Sequence, residues 1–348
     1  MATIRWIFLL WLFPASAFGE VASPAALELG AKFAATDTLA CGAEANDDAK
    51  ECLANLSWTP SNFTVHLEAA EPGRGDWLVR FPSARPIGNS TNDLASMEWF
   101  AAHDKEGAIR QARAVVVVHE SGRGMTVGRV IARGLNSHGL HAFMLHLPGY
   151  GARRVEGISD IERALPALQQ AIADVRRARD AVAALPAVDR SVVGVQGTSL
   201  GGFVTATVAG LDRGYDRVFI LLAGGNLHEV VLHGAKDAAK TREKLAAAGV
   251  TEEQIKELAR HVEPLRLAHR INPAGTWLYS GKFDDVVPPS CSLALAKAAQ
   301  LPAGHHIELS ADHYSGIIYL PQVVQQMYER MVEPLEQERP QEAVNAAP

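Results

Sequence analysis

The chain lacks what marks several large classes of protein. Its 348 residues hold three cysteines, too few for a disulfide-dense scaffold or a cysteine-rich metal module. Charge of neither sign dominates: 33 Lys and Arg stand against 39 Asp and Glu, a formal net charge of −6. There is no basic run and no aromatic–basic interleaving, so the electrostatic footprint of a nucleic-acid binder is missing. His138, His141 and His146 cluster, but His141 and His146 fall on opposite faces of one expected strand, with no cysteine or HExxH spacing nearby. A metal site is therefore not expected. After the N-terminus no apolar run approaches the ~20 residues that cross a bilayer, and no internal repeat is visible. Apolar residues make up 48% of the chain and charged residues 21%, ample for one large core.

The exception is the N-terminus. Arg5 precedes the apolar run Trp6 to Phe13, and Ala15-Ser16-Ala17 and Ala17-Phe18-Gly19 offer small-x-small cleavage sites. Residues 1–19 read as a secretory signal peptide, which implies a secreted or periplasmic protein without stable membrane insertion after cleavage. No cysteine stands just after the apolar run to carry a lipid. In an oxidising compartment Cys41 and Cys52 are expected to pair and staple an N-terminal extension of residues 20–60, leaving Cys291 as a buried thiol.

Hydrophobic periodicity divides the rest. Phe63–Ala69, Asp76–Phe81 and Leu94–Ala101 read as strands, the first two alternating, which suggests an antiparallel edge. Ala114–Val118 is continuously apolar and β-branched, as a strand buried on both faces should be. From there strands and helices alternate: helix 124–137, strand 140–145, helix 158–185, strand 191–195, helix 202–211, strand 217–222. Residues 225–270 break the rhythm with charged amphipathic helices, one opened by a Thr251/Gln254 capping box. Strand 276–280, helix 290–299, strand 306–309 and helix 316–333 complete the pattern, and residues 336–348 read as a disordered tail. Alternation of this kind argues for a mostly parallel sheet covered on both faces.

One pentapeptide carries chemistry. Gly197-Thr198-Ser199-Leu200-Gly201 lies between the expected strand 191–195 and helix 202–211. That places a serine on a sharp strand-to-helix turn, a nucleophile elbow, where a side chain at either flanking glycine would strike the neighbouring strand or helix. With the antiparallel start, the helical insertion at 225–270 and the loop Pro148-Gly149-Tyr150-Gly151, the chain over about residues 60–335 resembles the α/β-hydrolase fold.

The resemblance implies a hydrolase domain over 61–335, with 225–270 as a helical lid, and a triad in the order Ser, acid, His. Ser199 is the nucleophile. The acid falls in Gly281-Lys282-Phe283-Asp284-Asp285, at Asp284 by the family's spacing, with Asp285 as its rival. The base is His313, on the loop after the last strand; His305 and His306 lie at the opposite end of that strand. Oxyanion donors are expected at the amides of Leu200 and Ser121. Glu120 stands where the family commonly has glycine, and can reach the site or bind Arg123 or Arg153. His119, Glu120 and Tyr150 are candidate pocket residues; Tyr150 can equally be loop packing. Arg153-Arg154 reads as an attractor of anionic substrate or as a solvated face. The implied activity is hydrolysis of a small carboxylic ester through an acyl-enzyme, with no cofactor. A serine peptidase or amidase, or a binding protein on this fold, are the alternatives. The lid is too charged to favour long-chain triglycerides.

Overall fold

The computed structural model describes residues 27–155 and 164–335. The signal peptide, the cleavage sites, the start of the helix expected from 158 and the C-terminal tail lie outside the described residues.

Among the described residues, ten strands form one sheet. They are β1 (Lys32–Ala35), β2 (Phe63–Ala69), β3 (Trp77–Pro82), β4 (Leu94–Phe100), β5 (Ala112–Val118), β6 (His141–His146), β7 (Val188–Thr198), β8 (Arg217–Leu221), β9 (Thr276–Gly281) and β10 (His306–Leu309). Their order is β1-β2-β3-β4-β6-β5-β7-β8-β9-β10. β1 to β4 pair antiparallel, β4 meets β6 antiparallel, and every later pair is parallel. The helices are α1 (Asp47–Leu56), α2 (Thr126–Ser137), α3 (Ala164–Ala183), α4 (Leu200–Asp212), α5 (Leu227–His233), α6 (Asp237–Ala247), α7 (Glu252–Arg260), α8 (Pro289–Ala298) and α9 (Leu320–Val332).

The uninterrupted Val run in β5 follows from burial on both faces. Ala114, Val116 and Val118 pack with α3 and α4 in one apolar layer, while Val115 and Val117 pack with α2 in the other. At roughly 1.5–3 kcal/mol for each fully buried side chain, these two apolar layers dominate the stability of the body.

The described part of the expected N-terminal extension packs on this body. β1 adds an edge strand beside β2, and α1 buries Ala49, Cys52, Leu53 and Leu56. The expected Cys41–Cys52 bridge is not formed: both are free thiols, as is Cys291. Cys52 faces the core from α1, where burial pushes its thiol up to about 11, while Cys41 lies in the loop before it, its carbonyl bound by Arg270. Denatured, unreduced protein should titrate with three thiols; one would restore the bridge.

The polar stripe of α3 is not solvated. Arg177 pairs with buried Asp37 at 2.7 Å, Arg176 with Asp212 at 2.7 Å and Asp180 at 3.0 Å, and Asp180 also accepts from Thr38. The N-terminal segment thus covers a buried ionic face, in which each charge needs its partner. The capping box of α7 forms as expected, from Thr251 and Gln254. No described helix is long and apolar enough to cross a membrane.

Candidate active site

Ser199 stands between β7 and α4 with φ 51° and ψ −115°. A non-glycine residue holds such a conformation only where its surroundings over-determine it. Here its N–H donates to Leu221 O at 2.9 Å. A Cβ on Gly201 would meet the carbonyl oxygens of Val118 and His119, and one on Gly197 would meet Gly201 O and Thr205 Oγ1. The flanking glycines are there because β5, β7 and α4 converge on the turn, as the sequence implied.

Three strands deliver their following loops to one edge of the sheet, the carboxyl ends where ligands meet open α/β sheets. The loop after β9 supplies Asp284, 5% exposed, and the loop after β10 supplies His313. Ser199 Oγ lies 3.0 Å from His313 Nε2, and His313 Nδ1 lies 2.7 Å from Asp284 Oδ2. Asp284 Oδ1 accepts from the amides of Val286 and Val287 at 2.9 and 2.8 Å. A carboxylate can only accept, so His313 carries its proton on Nδ1 and turns the Nε2 lone pair to the serine hydroxyl. The rival acid, Asp285, points elsewhere and pairs with Lys236 at 3.0 Å. His306 is engaged with Ser280 Oγ at 2.8 Å, at the far end of β10.

The loop after β5 is held from two sides. Glu120 closes it: its carboxylate accepts from the amides of Val127 and Gly128, both at 3.1 Å, at the start of α2. That explains a charged residue where the family commonly has glycine, since the first N–H groups of a helix need acceptors and favour negative charge. Neither Arg123 nor Arg153 is its partner. Tyr150 lies at its rim: the hydroxyl donates to Ser121 O at 3.0 Å and the ring sits 4.7 Å from His119. Tyr150 thus packs on this loop while remaining half-buried.

His119 is not a pocket residue. It is fully buried, and both ring nitrogens are engaged, Nδ1 with Glu120 O at 2.6 Å and Nε2 with the Leu147 amide at 3.1 Å. Arg153 is neither a substrate attractor nor a solvated face. It is fully enclosed and donates to Asp174 at 2.6 Å, Asn92 O and His146 O. A loop arginine beside a second arginine carries no sequence mark of such burial.

The histidines near β6 are likewise consumed by the protein. His141 Nδ1 accepts from Trp99 Nε1 and the Ala102 amide, His146 contacts Glu98 at 3.1 Å, and His138 stacks on Tyr328. Burial pushes His119 down to about 3 and His141 down to about 4, and lowers His146 against the pull of Glu98. Burial alone would raise Glu98, but hydrogen bonds from Arg129 and His146 outweigh it and bring the carboxyl to about 2. The unfolded chain takes up a proton on each imidazole near pH ~6.5 and on the glutamate near ~4.5, where the folded chain does not. Stability is therefore fully present above about pH 6.5 and is lost as the pH falls towards about 3, at up to ~1.4 kcal/mol per pH unit per group. Urea midpoints measured across this range should fall steadily; a flat profile would contradict it.

Sequence reasoning missed two features of the site. Asp312 Oδ1 accepts from the amides of Tyr314 and Ser315 and from Ser315 Oγ at 2.8–2.9 Å, shaping the turn on which His313 rides. The Asp312-x-x-Ser315 spacing was a legible turn signal. The second is the contact between insertion and triad loops. Ala235 N donates to Asp285 O at 2.7 Å, and Tyr314 Oη donates to Asp237 at 2.8 Å; nothing local in the sequence joins residues so far apart. On its other side the insertion meets α1, through Arg260 with Asp48 and Glu51.

A model of the prolyl oligopeptidase family matches residues 165–333. Among curated proteins, an uncharacterized protein of Mycobacterium tuberculosis (strain ATCC 25618 / H37Rv) is 24% identical over 239 residues, covering 67% of this chain and 49% of that protein. The chain thus spans about half the length of the curated relatives it matches. Among solved structures, the acetyl xylan esterase from Paenibacillus sp. R4 is similar at a TM-score of 0.57 and 18% identity, covering 82% of this chain and 93% of that one. Acetyl xylan esterase 1 from Thermoanaerobacterium sp. JW/SL YS485 is similar at 0.57 and 19% identity, covering 85% and 96%. These structural likenesses establish the fold. The chain thus has the α/β-hydrolase fold, and its second half, which carries the Gly-x-Ser-x-Gly elbow, is similar to the prolyl oligopeptidase family.

Proposed function

We propose that this protein hydrolyses carboxylic esters of small molecules through Ser199, His313 and Asp284. The observation that carries the reading is the unbroken chain from Ser199 Oγ through His313 to Asp284, at 3.0 and 2.7 Å, on a strained elbow. In the mechanism, His313 Nε2 takes the hydroxyl proton as Ser199 Oγ attacks the acyl carbon. Asp284 keeps the imidazole in the required tautomer and offsets the imidazolium charge. The developing oxyanion is met by the amides of Leu200 and Ser121. Leu200 N–H is among the first of α4 and has no helical acceptor, while Ser121 is anchored by Tyr150 and Glu120. Collapse of the intermediate expels the alcohol, which receives the proton from His313. Water then repeats the sequence on the acyl-enzyme and releases the acid. The two acetyl xylan esterases share the fold over nearly their whole length, which supports ester over amide bonds.

The matched prolyl oligopeptidase family favours a second reading, cleavage of a peptide or amide bond by the same triad. A panel of p-nitrophenyl esters and matched aminoacyl p-nitroanilides separates the two by kcat/KM. Faster turnover of the anilides would put the peptidase first.

Tyr150→Phe removes the bond that fixes Ser121 while leaving the ring against His119. It should lower kcat roughly threefold to tenfold with little change in KM. An unchanged kcat would remove Ser121 from the oxyanion site.

A further inference from the structure

The triad loops are tied to the insertion by two consecutive residues. Lys236 and Asp237 stand at the start of α6. Lys236 Nζ lies 3.0 Å from Asp285 Oδ1, on the residue that follows the triad acid. Asp237 Oδ2 accepts from Tyr314 Oη at 2.8 Å, on the residue that follows the triad histidine. The two halves touch, since Lys236 Nζ sits 5.0 Å from the centre of the Tyr314 ring. Ala235 N closes the group by donating to Asp285 O at 2.7 Å.

Three features set this group apart from an ordinary surface ion pair, which contributes little by itself. Lys236 has φ 50° and ψ −108°, a conformation a lysine keeps only when several contacts impose it. Gly234 passes so close to Val286 O that a Cβ there would strike it. The electrostatics agree in direction: the Asp285 carboxylate holds the Lys236 ammonium above its usual range, and the Tyr314 hydroxyl holds Asp237 below its own. Lys240 also reaches Asp237, at 3.1 Å.

We propose that Lys236 and Asp237 are positioning residues for the reaction: docked on Asp285 and Tyr314, they hold the acid loop and the base loop in register, so that seating of the insertion and assembly of the triad are one event. The proposal rests on the triad reading above. It follows from how sharply catalysis depends on placement, since a shift near 1 Å between reacting groups can cost about a hundredfold. Asp284 and His313 arrive from different strands, and their mutual register is not set by either loop alone.

The test is the second-order rate constant for fluorophosphonate labelling of Ser199, beside kcat and KM for p-nitrophenyl acetate and the melting temperature. Lys236→Met and Asp237→Asn should each slow labelling and lower kcat about fivefold. KM for so small a substrate should hold within about twofold. The double variant should be no slower than the worse single one, because both break one clasp. Lys236→Arg should recover most of the rate. Tyr314→Phe, which deletes only the hydroxyl, gives an independent variant should either charge change impair folding. Labelling at the wild-type rate in folded Lys236→Met, Asp237→Asn and Tyr314→Phe overturns the proposal, even if the melting temperature drops. Absence of labelling in the wild-type protein overturns the triad reading and the proposal with it.

Discussion

Ser199→Ala and His313→Ala should each reduce kcat/KM for p-nitrophenyl acetate by at least about a thousandfold, while leaving the circular dichroism spectrum and melting temperature in place. The magnitude follows from the way a triad works as a unit: without the nucleophile or the base, only binding and the oxyanion donors remain. The fold should tolerate both changes. Ser199 makes one side-chain hydrogen bond of note, to His313, and alanine is no worse at a positive φ than serine. The same assay decides between the two neighbouring carboxylates. Asp284→Asn should cost about as much as the loss of the histidine's function, because the amide can present a donor to Nδ1 and reverse the tautomer. Asp285→Asn should cost about tenfold or less, since its carboxylate reaches Lys236 and not His313. Comparable losses in the two variants would refute the assignment of the acid.

Arg153→Met should be the most damaging single change away from the triad, lowering the unfolding free energy by about 3–5 kcal/mol. Arg153 and Asp174 are both fully enclosed, 2.6 Å apart. Removing the guanidinium strands a carboxylate that burial already pushes upward, along with the carbonyls of Asn92 and His146. Asp174 then takes up a proton to escape its charge, which limits the loss. Arg153→Met combined with Asp174→Leu should recover part of the stability, because the uncompensated charge is gone. The remainder reflects the two carbonyls and the Ser83 hydroxyl, which donates to Asp174 Oδ1 at 2.5 Å and loses that acceptor in the double variant. Urea unfolding of the three variants checks this; a single variant within about 1 kcal/mol of wild type would mean that water reaches the site.

The failures of sequence reading share one cause with the successes. Val115 to Val118 and the Gly197–Gly201 elbow were legible because each records a local demand: two covered faces for the strand, two close approaches for the glycines. Asp284 and His313 were legible through their place after particular strands. Asp180 and Arg176 were not, because the pattern of a solvated helix face is identical to that of a face covered by another polar segment, and Arg153 was not, because a loop arginine carries no mark of burial. Cys41 and Cys52 stand close in the chain and remain separate thiols, since α1 turns Cys52 into the core.

Glu120 shows the same boundary inside one loop. Its identity announced a departure from the family's glycine, yet its role as a cap for α2 depends on a helix that begins six residues later at Thr126 and folds back. The order of strands and helices, the elbow and the chain order of Ser199, Asp284 and His313 are written in the residues, because periodicity and turn chemistry act over a few positions. Which carboxylate faces the histidine, which arginines lose their water, and how the insertion grips Asp285 and Tyr314 were decided only when strands far apart in the chain came side by side. Those contacts depend on distances that no local pattern encodes.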